Sequence, residues 1–419
     1  MEPLLRTLFV HTPGTRLVLD GQSVKALRDD APPRRLPLQA IDTIVVAGGV
    51  DVSTPLLIHC AENQRVVAFV SRNGRPRAIV EGPMDGRSEL RRRQYAAHAD
   101  NHRRAELART VVVGKVRQMA WALRQWARDA EGSAQESLRR AAEQLDEVLG
   151  QKQGHECSRE SLLGIEGEST RRYFAAMGLV LRDAKWSGRS RRPALDPINS
   201  VLSWLYGMTR ISVSGAVMVA GLDSGTGFLH GDRAGQPSLV LDLMEELRPA
   251  ADRVAVRLWN TKRLQPKHFE RGLTGATELG SDGRQILLDE WHAHRVAEVH
   301  VRGRVDPVPN GFIPIMQAHA TINRTLTQQG TAKQKLWTIM SDFTRTVLEN
   351  QAHAVIYNRE EKELEPEDRD RINRLRRDFD HRLVELLEEG VANKEFVIAD
   401  VRLAALAIGS IVGWAPVWF

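Results

Sequence analysis

Apolar positions along the chain fall into two regimes. Through about residue 85 they come in short runs divided by turn residues, the signature of strands. The segments "TRLVLD" and "RLPLQAIDTIVVAG" have strand composition. "VVAFVSRNGRPRAIVEG" is two apolar runs meeting at Asn73-Gly74, a hairpin signal. Between these, "VSTPLLIHCAENQ" predicts a helix, with Ser53 or Thr54 as N-cap and Pro55 at its first position.

From Arg87 onward the composition is helical, with few breakers until a gap near Gly150 and Gly154. "KWSGRSRRPALDP" interrupts as a basic loop carrying Gly and Pro, and helices resume at "DPINSVLSWLYGM". No repeat of solenoid period is present.

The stretch "SLVLDLMEE", residues 238–246, carries three acids on an otherwise apolar segment. On a helical wheel its apolar side chains spread over about 200°, and Asp242, Glu245 and Glu246 take the remaining arc. Ser238 is the expected N-cap. Asp242 and Glu245 stand one turn apart, and two carboxylates at ~5 Å repel by about 3 kcal/mol at an effective dielectric near 20. A metal ion, a distant base or a proton is needed to offset that. His230 precedes the stretch and follows the glycine-rich "GLDSGTGF", suited to bringing backbone close to a site. A histidine with carboxylate oxygens is a common set for Mg²⁺ or Mn²⁺ in phosphodiester chemistry. "LLGIEGESTRRYF" supplies a third acid, Glu166 or Glu168, and composition does not separate the two.

Charge adds a partner class. Before Thr327 the chain holds 46 basic and 37 acidic residues, and from there on 13 and 16. Residues 87–128 concentrate 11 bases against 3 acids, with Tyr95, Trp121 and Trp126 interleaved. A basic body of this kind suits a polyanion. Cys60 and Cys157 have no neighbours at metal-ligand spacing, which fits a reducing cytoplasm. The N-terminus has no signal-peptide pattern. The apolar end "LAALAIGSIVGWAPVWF" is interrupted by Pro416 and is marginal in length for a membrane span, so no membrane role is expected.

The motifs "VEGP", "RRRQY", "GIEGES", "DPINSVLSWLYG", "GLDSGTGFLHGDRAGQPSLVLDLMEELRP" and "DEWHAHR" occur in this order. Together they resemble the CRISPR-associated integrases of spacer acquisition, CRISPR-associated protein one, over about residues 4–326. The resemblance implies an α+β chain with a β-rich dimerisation domain at 1–85 and an all-α catalytic domain at 86–326; the chain departs from the family after that, in an extra helical segment at 327–419. It implies a metal-dependent DNA endonuclease and integrase in which a DNA 3′-hydroxyl attacks a phosphodiester of the CRISPR array. Glu166, His230 and Glu245 would be its catalytic metal ligands, for Mg²⁺ or Mn²⁺, with Asp242 auxiliary and Glu246 left on the solvent face. Arg91, Arg92 and Arg93, with Lys185, Arg189, Arg191 and Arg192 in the basic loop, would hold double-stranded DNA. A homodimer joined to CRISPR-associated protein two is the implied assembly.

The segment after Lys333, with "LLEEGVANKEF" and "RLAALAI", resembles the ligand-binding and dimerisation domain of tetracycline-repressor-like regulators, and Asp400 is expected to cap the helix that starts at Val401. Two other readings follow from that end: a non-catalytic DNA-binding regulator with the tail as sensor, or an inactive chimeric integrase. A regulator has no need of the histidine and the two glutamates.

Overall fold

The computed structural model describes residues 7–299, 308–321, 332–340 and 366–413, less 42, 64, 72–73, 81, 83–87, 152–157, 183, 185, 191–192, 232, 273–274, 315, 319, 334 and 338. The chain divides into two compact units, Met1–Ile322 and Asn323–Phe419.

The first unit begins with two four-stranded sheets. Strands β1 (Thr7–Val10), β2 (Arg16–Asp20), β3 (Ser23–Arg28), β4 (Ala31–Pro37), β5 (Thr43–Ala47), β6 (Asp51–Val52), β7 (Val66–Val70) and β8 (Pro76–Val80) make them up. Their orders are β1-β5-β7-β8 and β4-β3-β2-β6. Between β6 and β7, helix α1 (Thr54–Glu62) starts after Ser53 with Pro55 in its first turn, although the Ser53 side chain makes no capping bond. Alternate residues of the two sheets, Leu17, Val24, Ile44, Val46 and Val67, meet Leu56 and Cys60 of α1 in a small core. Strands β7 and β8 pair antiparallel, and Gly74 in the turn between them adopts φ 70°, as the Asn-Gly signal requires.

Helices follow: α2 (Ser88–Ala99), α3 (Asn101–Asp129), α4 (Gly132–Gln151), α5 (Arg159–Met177), α6 (Pro197–Ala220), α7 (Ser238–Glu245), α8 (Arg248–Asn260) and α9 (Ser281–Val296). Asp100 caps α3 through the amides of His102 and Arg103, and Asp196 caps α6 with Pro197 at its start. Helix α6 is apolar nearly all round and is buried from Ile198 to Ala220. Its Gly207 sits against the Gly74 carbonyl, where any side chain would collide. The lobe also holds two short ribbons, β9 (Phe269–Arg271) with β10 (Thr277–Leu279), and β11 (Glu298–Val299) with β12 (Val308–Pro309). The helical pattern gave no sign of them, because strands of two or three residues are too short for a period.

The second unit contains α10 (Pro366–Ala392) and α11 (Val401–Gly413). Leu383 and Leu387 of α10 pack on Ala405 of α11, with Phe396 and Ile398 between. Asp400 Oδ1 accepts the Leu403 amide at 3.0 Å and caps α11 as its sequence indicates. No helix among the described residues is long and apolar enough to cross a membrane.

Candidate active site

Helices α3, α5 and α7 converge on one cluster of charge. Lys115, at the middle of α3, is 2 % exposed. Its ammonium hydrogen-bonds Glu166 of α5 and lies 2.6 Å from Glu245 Oε2 of α7. The Thr170 hydroxyl also donates to Glu166, at 3.1 Å. On the far side of Glu245, the Arg248 guanidinium approaches Oε1 at 3.0 Å. Burial pushes the Glu245 carboxyl up, but Arg248 and then Lys115 outweigh it and hold it at about 2. The approach of Lys115 to Oε2 is close but poorly angled for a hydrogen bond, so that contact is chiefly one of charge and the buried oxygen keeps capacity to accept.

The two glutamates of "GIEGES" separate cleanly. Glu166 turns inward to Lys115, while Glu168 faces water and pairs with Arg172 and Arg171 of its own helix at 2.7 and 2.8 Å. Those two arginines hold the Glu168 carboxyl below its usual range. Beside Glu166, a Cβ added at Gly164 or Gly167 would meet nothing within 4 Å, so that face of α5 is open.

Asp242 is wholly buried and tethers the loop that carries His230. Its carboxylate accepts the amides of Phe228 (2.5 Å), Leu229 (2.9 Å) and His230 (2.9 Å) and meets His230 Nδ1 at 2.7 Å. Facing an acceptor so occupied, Nδ1 carries the proton, and Nε2 is left with its lone pair. Burial lowers the affinity of His230 for a second proton. The Asp242 hydrogen bond and charge, with Glu245, raise it by more. Gly227 makes the approach possible: a Cβ there would lie 2.6 Å from the Ser238 backbone and 2.8 Å from Asp242 Oδ2.

Two expectations about α7 are corrected. Ser238 does not cap it. The N-cap is Pro237, and the Ser238 hydroxyl donates to the Gly231 carbonyl at 2.9 Å, pinning the loop instead. Glu246 is not on an open solvent face. It is half-buried against Gly114, and its Oε2 accepts from Gln317 Nε2 at 2.8 Å.

Among the described residues, no three His, Cys, Asp or Glu side chains already form a ligand cage, because the two glutamates close on Lys115. The donor set still fits a divalent ion. Two carboxylates and an imidazole nitrogen suit Mg²⁺ or Mn²⁺, and Glu245 Oε2 has a lone pair to give.

Of the arginines expected on DNA, Arg91 donates from Nε to the Gly221 carbonyl at 3.1 Å. Arg92 and Arg93 are exposed and pair with Glu89. Arg189 turns inward, bonding Asn199 Oδ1 at 2.7 Å and lying over the Tyr206 ring. Lys185, Arg191 and Arg192 lie outside the described residues.

Three further features emerge only in three dimensions. Lys115 and Arg248 supply the positive charge that the acidic stretch demanded. At the N-terminal end of α7, a cavity of about 790 Å³ is walled by Arg77, Arg210, Arg233, the exposed Tyr95 and Pro237. Arg210 Nε is buried without a partner, and burial and then Arg75 reduce the proton affinity of its guanidinium, an environment that asks for an anion. The third is a buried pair behind the site, where the Tyr206 hydroxyl donates to Asp252 at 2.6 Å and burial raises the Asp252 carboxyl to about 6.

Comparison with known proteins gives a consistent result. Residues 8–293 match the family model described as CRISPR associated protein Cas1, and residues 329–419 match the tetracyclin repressor-like C-terminal domain. A CRISPR-associated endonuclease Cas1 of Rhodospirillum rubrum is 36% identical over 327 residues, 76% of this chain and 94% of that protein. A casposase bound to integration product shares the fold at TM-score 0.67 with 18% identity, over 78% of this chain and 92% of its own. A Cas6-RT-Cas1–Cas2 complex gives TM-score 0.66 and 20% identity, over 78% of this chain and 36% of that one.

Proposed function

The chain belongs to the CRISPR-associated protein Cas1 family, and from that premise we propose that it is a metal-dependent DNA integrase and endonuclease that inserts new spacers into a CRISPR array. The observation that carries the proposal is the meeting of Glu166 and Glu245, from separate helices, on one cation, beside an imidazole that Asp242 holds by its backbone and its ring. Carboxylates gathered in this way with an imidazole support a site for phosphodiester chemistry over a structural ion pair.

Glu166, His230 through Nε2, and Glu245 would hold Mg²⁺ or Mn²⁺. Such an ion polarises a phosphoryl oxygen and offsets charge that develops during transfer. Asp242 keeps His230 in the required tautomer and fixes its loop by three amides. Arg248 keeps Glu245 ionised. Arg77, Arg210 and Arg233, with Arg92 and Arg93 on α2, contact DNA phosphates, and Tyr95 offers a face for a base. These contacts position the strand for attack by its 3′-hydroxyl without reading its sequence. The working form is a homodimer joined to CRISPR-associated protein two, and the likeness to a Cas6-RT-Cas1–Cas2 complex supports the second of these contacts.

The deciding experiment is transfer of a short DNA duplex into repeat DNA, with the partner protein and Mn²⁺. Glu166→Ala and Glu245→Ala are expected to lose transfer by about a hundredfold or more, while DNA affinity measured by gel shift in metal-free buffer stays within about twofold. Full transfer by Glu166→Ala would sink the site assignment.

A further inference from the structure

Lys115 is the feature that the proposed reaction leaves unused. It lies on the buried stripe of α3, among Val112, Val116 and Met119, with its ammonium aimed at the two carboxylates proposed to bind the metal. A lysine is rarely placed in a core, and one that is held there needs carboxylate partners. The charges around it balance: Lys115 and Arg248 stand against Glu166 and Glu245, and Asp242 is satisfied by three amides and His230.

We propose that Lys115 is the internal counter-ion of the site, which a divalent cation must displace from Glu166 and Glu245, and which then binds the phosphate of the DNA strand. The physical argument is one of charge. An ammonium and a divalent ion compete for the same carboxylate oxygens, so the resident lysine weakens metal binding. Once displaced, Lys115 is a buried cation without its partners, and the nearest remedy is an anion. A phosphodiester supplies it. Metal and DNA therefore bind with positive coupling, each raising the affinity for the other by the same factor. The site takes up its metal efficiently only when a strand is present. This inference rests on the metal-binding reading of Glu166 and Glu245.

The test is Mn²⁺ binding by the full chain, followed by electron paramagnetic resonance of free Mn²⁺, with and without a short duplex ending in 3′-dideoxynucleotides. In the absence of DNA, Lys115→Met is expected to bind Mn²⁺ about tenfold more tightly than the parent protein. DNA is expected to tighten the parent's binding about tenfold and that of the variant by less than about twofold. A lysine with a merely structural role predicts the opposite, looser binding on its removal. Lys115→Gln, neutral but able to hydrogen-bond both carboxylates, provides the same comparison if the Met variant fails to fold. Tighter binding and lost coupling in either variant support the role. Mn²⁺ binding that is lost in Glu166→Ala but is no tighter in the Lys115 variants overturns it and leaves the metal site standing. Mn²⁺ binding unaffected by Glu166→Ala overturns the metal site, and this inference with it.

Discussion

Asp242 and Glu245 stand three residues apart on α7 and serve different ends. The periodicity of "SLVLDLMEE" placed both on one face and required a positive partner, which Lys115 and Arg248 provide. Periodicity alone did not tell them apart, because the difference lies in the amides of residues 228–230, which fold back onto Asp242 and leave Glu245 clear. Asp242→Asn puts an amide group among three N–H donors. It is expected to cost about 2–4 kcal/mol in chemical denaturation, and a loss under about 1 kcal/mol would mean that the acceptor is replaceable. Asp252 permits a test by pH. Burial holds its carboxyl at about 6, above the ordinary value near 3.8. Between pH ~4 and 6 the folded chain keeps a proton that the unfolded chain has released, so stability falls as pH rises through that window, by about 3 kcal/mol in all. Asp252→Asn cannot take up or release that proton. Its stability relative to the parent is expected to rise from pH 4 to pH 6 and then level off, and a flat difference would contradict the burial argument. Glu245 runs the other way: held at about 2, it contributes stability that is lost as pH falls from ~4.5 toward 2.

Elements were legible where a local signal defines them. The hairpin turn at Gly74, the start of α1 at Pro55 and the Asp400 cap of α11 each depend on a few adjacent residues, and each stands where the sequence indicates, Asn73 itself lying outside the described residues. Asp400→Ala is therefore expected to remove about 1 kcal/mol from the second unit, read as earlier loss of helical circular dichroism from a fragment containing 323–419. The Ser238 cap misled because the loop took the hydroxyl first, for the Gly231 carbonyl. Close approach of loop to helix is another matter that sequence hints at and geometry decides. Gly227 lies so near α7 that Gly227→Ala must push the loop outward. The expected cost is about 1–3 kcal/mol, with a matching fall in Mn²⁺ affinity, and unchanged metal binding would detach the loop from the site.

At the scale of the whole chain, the β-rich start, the helical body and the helical tail followed from composition and resemblance. Lys115 did not, although its position carried a clue. Ala108, Val112, Lys115, Met119 and Ala122 recur at helical spacing, and a lysine in that series points inward. The total charge of the segment hides one buried base among many exposed ones. The division into Met1–Ile322 and Asn323–Phe419 leads to the expectation that a chain ending at Ile322 folds and retains strand transfer within about twofold of the full protein. Loss of folding would show that the units share a core. One consequence of α3 concerns motion. The helix has 29 residues, and Lys115 is the fifteenth. To free the ammonium by fraying, about four turns would have to unwind from either end. Backbone amides around residue 115 should therefore be among the slowest of the first unit to exchange with deuterated water, and only the side chain, pivoting on a still backbone, is quick enough to make way for an ion.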